Sequence, residues 1–143
     1  MIRALFARFH TAVYRLLRGR IVGSWGKAPV LLLTTRGRRT GRSRTTPVLY
    51  LEDGDAYAVV ATNDGADAQP AWYLNLVANP EAEIELGADR IAVTAETAAA
   101  HERARLWLAL RDLYPNYARD QSRATRELPV VLLKPAVAAP LDP

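Results

Sequence analysis

The sequence predicts a mainly β fold: an antiparallel barrel, closed or partly closed, with helices at its periphery. Three observations carry that expectation. Six short strand-like runs (30–35, 48–51, 56–62, 82–86, 90–96 and 128–133) are bounded by Gly, Asp, Asn or Pro. They do not alternate regularly with helical segments, which argues against a doubly wound parallel sheet. A chain of 143 residues, half of them hydrophobic and 24% charged, suits one domain with a real core.

In chain order, residues 1–21 read as an amphipathic helix. Ile2, Leu5, Phe6, Phe9, Val13, Leu16 and Leu17 recur at helical spacing, with Arg3, Arg8, Arg15 and Arg18 on much of the remaining surface. Such a helix can lie on an anionic membrane surface or pack on the domain or a partner subunit. Pro29 opens the first strand, and Glu52-Asp53-Gly54-Asp55 is a tight turn before the strand 56–62. Asn63 to Asp67 is a loop, with Asp67 a candidate cap for a helix from Pro70 to Ala78 that Asn79-Pro80 ends. Strands 82–86 and 90–96 flank Gly87-Ala88-Asp89. A helix over 98–113 should turn Leu106, Leu110 and Leu113 inward and Arg103, Arg105 and Arg111 mostly outward. Tyr114-Pro115-Asn116-Tyr117 breaks it, a polar stretch runs to Glu127, and strand 128–133 precedes a loose Ala/Pro-rich tail. The organisation is therefore a basic helix (1–22), a barrel domain (28–135) and a tail (136–143).

Charge is unevenly placed. Residues 1–51 carry eleven Lys/Arg and no acid, giving +11; residues 52–143 carry eight basic and fifteen acidic residues, giving −7. That asymmetry points to a basic surface for an anionic partner. Its densest part is Arg36, Arg38, Arg39, Arg42 and Arg44, five arginines within nine residues, punctuated by Gly37 and Gly41. Two strands joined by a Gly-containing turn read as a hairpin. Glycine lets backbone approach a ligand, and arginine presents a planar fork of donors suited to phosphate and carboxylate. The stretch looks built to hold something anionic; the alternative is a solvated basic turn.

The chain has no cysteine, so it has no thiolate metal site, disulfide or cysteine nucleophile, which fits a reducing compartment. No run of 18 apolar residues exists, and arginines interrupt the segment where a secretory signal would be apolar. The expected location is the cytoplasm or the inner face of the cell membrane. Two histidines, His10 and His101, build no metal site. Serine-triad, Walker A and dinucleotide-fold motifs are absent. An anion site with aromatic residues nearby, but without a self-contained catalytic set, suits a protein whose reactive atom belongs to a cofactor. Trp72 could hold a flat ligand, and Tyr117 could offer a hydroxyl to a bound oxygen.

Five segments then carry a resemblance: Thr34 through Pro47, Asn63-Asp64-Gly65-Ala66, Pro70-Ala71-Trp72-Tyr73-Leu74-Asn75-Leu76, Asn79-Pro80 and Tyr114-Pro115-Asn116-Tyr117. In this order and spacing the chain resembles the deazaflavin-dependent nitroreductase and quinone reductase family, common in actinobacteria, over about residues 28 to 135. The resemblance implies a six-stranded split β-barrel that binds the deazaflavin coenzyme F-420, with FMN as the alternative cofactor. It implies hydride transfer to a quinone-like or nitroaromatic acceptor; a nucleic-acid partner is not expected, because the rest of the chain is acidic and carries no recognition motif. A non-catalytic carrier of the same fold is the alternative function. Arg38, Arg39, Thr40, Gly41, Arg42 and Arg44 match the family's basic loop for the coenzyme's phosphate and carboxylates, with Thr46 and Pro47 beside it. Thr62, Asn63, Gly65 and Ala66 match a loop bordering the deazaflavin ring. Trp72 and Asn75 match the helix that closes the pocket. Tyr117 and Tyr114 match the substrate-side, catalytic tyrosines. Asp64 replaces a usual glycine, and Asp120 replaces a pocket tyrosine of the nitroreductase prototype.

Overall fold

The computed structural model describes residues 29–136. The predicted helix over 1–21 and most of the tail lie outside the described residues. Seven antiparallel strands form one curled sheet in the order β2-β1-β5-β6-β7-β4-β3. They are β1 (Val30–Arg36), β2 (Ser43–Leu49), β3 (Leu51–Asp53), β4 (Ala56–Val60), β5 (Glu81–Leu86), β6 (Asp89–Thr97) and β7 (Val130–Pro135). Among the described residues three α-helices accompany them: α1 (Ala71–Ala78), α2 (Ala100–Leu113) and α3 (Asn116–Arg123).

The sequence reading of six strands is corrected to seven. The run 48–51 belongs to two strands, because the ladder from β1 ends at Leu49 and β3 pairs with β4 from Leu51 onward. Between them Tyr50 donates its backbone N–H to Pro29 O (3.0 Å). The second strand of the hairpin begins earlier than the sequence suggests: Arg44, Thr46 and Pro47 lie in β2, opposite Thr35, Leu33 and Leu32, while Arg38, Arg39 and Arg42 stay in the turn. Pro47 donates nothing to a ladder, and its place in an edge strand is where that loss is tolerated.

Period-two alternation explains the core. In β4 and β7, Ala58, Val60, Val130 and Leu132 face Leu106 and Leu110 of α2 and Tyr117 of α3. Val59, Val131 and Leu133 face the opposite way and meet Leu31, Leu33, Ile84 and Val93. Both strands are thus covered on both faces, so they read as nearly continuous apolar runs. Each such fully buried Leu, Ile or Val contributes about 1.5–3 kcal/mol.

Four further expectations need correction. Asp67 does not cap α1, whose N-terminal flank is Pro70 without a side-chain cap. Its carboxylate instead accepts from Thr125 N (3.4 Å) and Thr125 Oγ1 (2.7 Å), tying the 61–69 loop to the chain before β7. The polar stretch after Tyr117 contains α3, entered from Pro115, whose φ of −59° already suits a helix. The last strand starts at Val130 rather than Leu128. Arg103 does not face outward: Nε and Nη2 donate to Leu128 O (3.0 and 2.9 Å), and the guanidinium lies 4.8 Å from the Trp107 ring centroid. Arg105 does face outward and forms a two-point pair with Asp53 at 2.9 and 3.0 Å. That hydrogen bond holds the Asp53 carboxyl below its usual range.

Candidate active site

The site begins at the β1–β2 hairpin. Thr34 faces Thr45 across the ladder, and their hydroxyls are 2.7 Å apart, which fixes register just before the turn. The turn is closed by Gly37 N–H to Arg42 O and Gly41 N–H to Gly37 O, both 2.8 Å. Gly41 has φ +72°, a left-handed conformation in which glycine carries no Cβ penalty.

Asn75 holds this turn to α1. Among the described residues it is one of two buried polar side chains, with Thr35. Its Oδ1 accepts Arg38 N–H (3.1 Å), and its Nδ2 donates to Thr35 Oγ1 (3.1 Å). One amide therefore joins helix, strand and turn, and the cost of burying it is offset by both bonds. Nothing in the neighbouring residues signals this pairing, because the partners lie 37 and 40 residues away.

The arginine turn walls a cleft of about 490 Å³. Arg38, Arg39, Thr40, Arg44, Thr46, Trp72 and Asn75 line it, and among the described residues no acid stands on its walls. Gly41 and Arg42 belong to the turn but not to the cleft wall. A second cleft of about 420 Å³ shares Thr46 and Trp72 with the first. Pro47, Thr62 and Asn63 border it, and Tyr114, Tyr117 and Asp120 approach from the α2–α3 corner. The curl of the sheet makes this cleft, by bringing residues 46–49 of β2 near Val60 at the end of β4. Of the predicted site residues, Gly41 and Arg42 line neither cleft, and nor do Gly65 and Ala66.

The last two shape the loop instead. Asn63 (φ 47°), Asp64 (φ 56°) and Gly65 (φ 77°) are consecutive left-handed residues in a 3-10 turn. Asn and Asp tolerate this conformation better than other side-chain-bearing residues, so Asp64 adopts what a glycine would offer. Gly65 N–H and Ala66 N–H close the turn on Thr62 O (2.9 Å) and Asn63 O (3.0 Å). Gly65 is buried against α3: a Cβ there would sit 2.6 Å from Asp120 O.

Arg126 was not singled out by the sequence reading. Its guanidinium donates to Gln69 Oε1 (2.7 Å), Ala66 O (3.0 Å), Thr62 O (3.1 Å), Ala61 O (3.3 Å) and Ala68 O (3.4 Å). It serves as the internal scaffold of the loop that borders the second cleft. Gln121 of α3 in turn donates to Arg126 O (2.8 Å), so loop and helix share one support.

At the far corner, the Tyr114 and Tyr117 rings meet edge to face at 4.8 Å, and Trp107 stacks on Tyr117 at 6.4 Å. Tyr117 is only 5% exposed although it lines the cleft. Burial first, then the neighbouring Tyr114 and Asp120, raises its hydroxyl above the ordinary tyrosine value, so it stays a neutral donor. Among the described residues no group of three or more His, Cys, Asp or Glu could hold a metal ion.

A sequence profile for the F420H(2)-dependent quinone reductase family matches residues 6–135. The chain belongs to this family. An F420H(2)-dependent quinone reductase from Mycobacterium tuberculosis (strain ATCC 25618 / H37Rv) is 45% identical over 130 residues, covering 88% of this chain and 87% of that protein. A solved F420-H2 dependent reductase, FDR-A, superposes with a TM-score of 0.69 at 33% identity, over 74% of this chain and 94% of its own. A heme storage protein from Vibrio cholerae shares the fold alone, with a TM-score of 0.60 and 14% identity over 85% of this chain and 92% of the other.

Proposed function

We propose that this chain transfers a hydride from reduced coenzyme F420 to a quinone. The observation that carries the reading is the polarity of the joined clefts. One end is walled by Arg38, Arg39 and Arg44 without an acid, and the other by Trp72, Tyr114 and Tyr117. A coenzyme with a flat ring and an anionic tail fits that division, because guanidinium forks match phosphate and carboxylate while aromatic walls match a ring.

The bound coenzyme supplies a two-electron hydride donor. The protein supplies orientation and a dry environment, which together can account for several kcal/mol of barrier. In this reading Arg38, Arg39 and Arg44 hold the tail, with Thr40, Gly41 and Arg42 shaping the turn around it. Thr46, Pro47, Thr62, Asn63 and Trp72 frame the ring. Asn75 positions the arginine turn, and Gly65 and Ala66 position the ring-side loop. Tyr117, with Tyr114 beside it, offers a neutral hydroxyl to the acceptor oxygen on which charge develops, a contribution of about 3 kcal/mol where the donor is well aimed. Asp64 and Asp120 border the acceptor end, and the quinone acceptor follows from the family to which the chain belongs.

Replacing Arg39 or Arg44 with alanine is expected to raise the coenzyme dissociation constant about tenfold each, or about 1.4 kcal/mol. Quenching of deazaflavin fluorescence on titration measures this. Affinities equal to the parent protein's for both variants would remove the tail site from the arginine turn.

The basic segment 1–21 is proposed to rest on anionic lipid, which would bring the site to membrane-dissolved quinones. Removing residues 1–22 should abolish co-sedimentation with anionic liposomes. Unchanged partitioning would show that the segment serves another purpose. Among the described residues no helix is long and apolar enough to cross a membrane.

A further inference from the structure

The acceptor end of the site carries two carboxylates with no counterpart at the arginine end. Asp120 follows Tyr117 by three residues on α3, a spacing that places both on one helix face. Both line the second cleft, as does Asp64. The turn carrying Asp64 is pressed on α3 at this residue, since a Cβ at Gly65 would meet Asp120 O at 2.6 Å and Asp120 Cα at 3.1 Å. Asp120 is thus held by its backbone, partly buried, next to the tyrosine that faces the acceptor.

A quinone becomes a hydroquinone by taking up two electrons and two protons in total. A hydride brings both electrons and one hydrogen nucleus, so one proton must come from elsewhere. We propose that Asp120 is the acid that delivers it. The O–H bond of the Asp120 carboxylic acid breaks, and its proton bonds to the negatively charged oxygen of the reduced acceptor. The carboxylate left behind regains a proton from solvent through the cleft. This inference rests on the quinone reductase reading above.

The surroundings of Asp120 support the role. Partial burial, and then the negative charge of Asp64, raise its pKa, while Arg123 and Arg119 on α3 act in the opposite direction. Tyr114 and Tyr117 are the other titratable groups on this cleft, and residues 46–49 of β2 and Trp72 add no charge to it. A carboxyl kept protonated further up the pH scale is a better proton donor near neutrality.

The test uses the full chain, Asp120→Asn and Asp64→Asn. Carboxyl carbon NMR of the coenzyme-free protein follows the Asp120 titration directly, and rapid mixing of coenzyme-loaded protein with menadione follows single-turnover oxidation against pH. The rate in the parent protein should fall as pH rises through the Asp120 pKa. Asp120→Asn should lose that falling limb and be slower by about a hundredfold on the acid side. Asp64→Asn removes a like charge, so it should move both the NMR titration and the falling limb to lower pH. Asp120→Asn with the parent rate and limb would overturn the proposal. So would a limb that stays in place when Asp64→Asn shifts the NMR titration. A parent protein that binds the coenzyme but is inert to menadione at every pH overturns the underlying reading as well; normal turnover with an unaffected Asp120→Asn overturns only the role of Asp120.

Discussion

Arg126→Ala is expected to lower the unfolding free energy by about 3 kcal/mol and to weaken coenzyme binding with it. The guanidinium donates to four backbone carbonyls and one side-chain oxygen between residues 61 and 69, at 2.7 to 3.4 Å. Bonds from a charged donor are worth about 1.5–3 kcal/mol each when made singly. The sum is far smaller than five such terms, because the residue is partly exposed and water can replace some of the bonds. The loop has no comparable internal support: the helical turn at 63–65 is short and uses left-handed backbone throughout. Arg126→Lys should recover part of the loss, since an ammonium has three donors but cannot span the same acceptors. Urea denaturation of both variants measures the effect. A midpoint unchanged in Arg126→Ala would contradict the scaffold role.

Gly65→Ala is expected to be nearly as costly, about 3 kcal/mol. Two effects add. The φ of +77° costs a residue with a Cβ about 1 kcal/mol, and the methyl would sit 2.6 Å from the backbone oxygen of Asp120. Backbone cannot rotate away as a flexible side chain would, so α3 must shift, at about 2 kcal/mol. Because α3 carries Tyr117 and Asp120, the same shift disturbs the acceptor end of the site. Thermal unfolding should show a fall of about 10 °C. Gly54→Ala is the natural control: its φ is +60° but nothing lies within 4 Å of an added Cβ, so only the smaller conformational term applies. Equal losses at Gly65 and Gly54 would mean that contact with α3 has no energetic weight.

What could be read from the sequence was local. The arginine hairpin was legible because glycines and strand-forming residues lie within a dozen positions of one another, and turn chemistry depends on near neighbours. The barrel character followed from short runs joined by turns. The division of 48–51 into β2 and β3 was not legible, since it depends on Leu49 pairing with Val30 and Leu51 with Ala58. The helix α3 was hidden because its eight residues, NYARDQSR, bury only Tyr117 and show no apolar stripe. Arg126 read as an ordinary polar residue, and Asn75 stood out only through the family resemblance, because their hydrogen-bond partners lie 37 to 65 residues away. Most of the family motifs reach the two clefts, Gly41, Arg42, Gly65, Ala66 and Asn79-Pro80 excepted; how Asn75 and Arg126 support the walls appeared only with the fold.

The central claim is tested most directly by titrating the purified protein with reduced coenzyme F420 and, in parallel, with FMN, then adding menadione. Saturable binding of the deazaflavin, weak or no binding of FMN, and menadione-dependent oxidation of the bound coenzyme are expected. Binding of FMN in place of the deazaflavin, or deazaflavin binding that no quinone discharges, would contradict that claim.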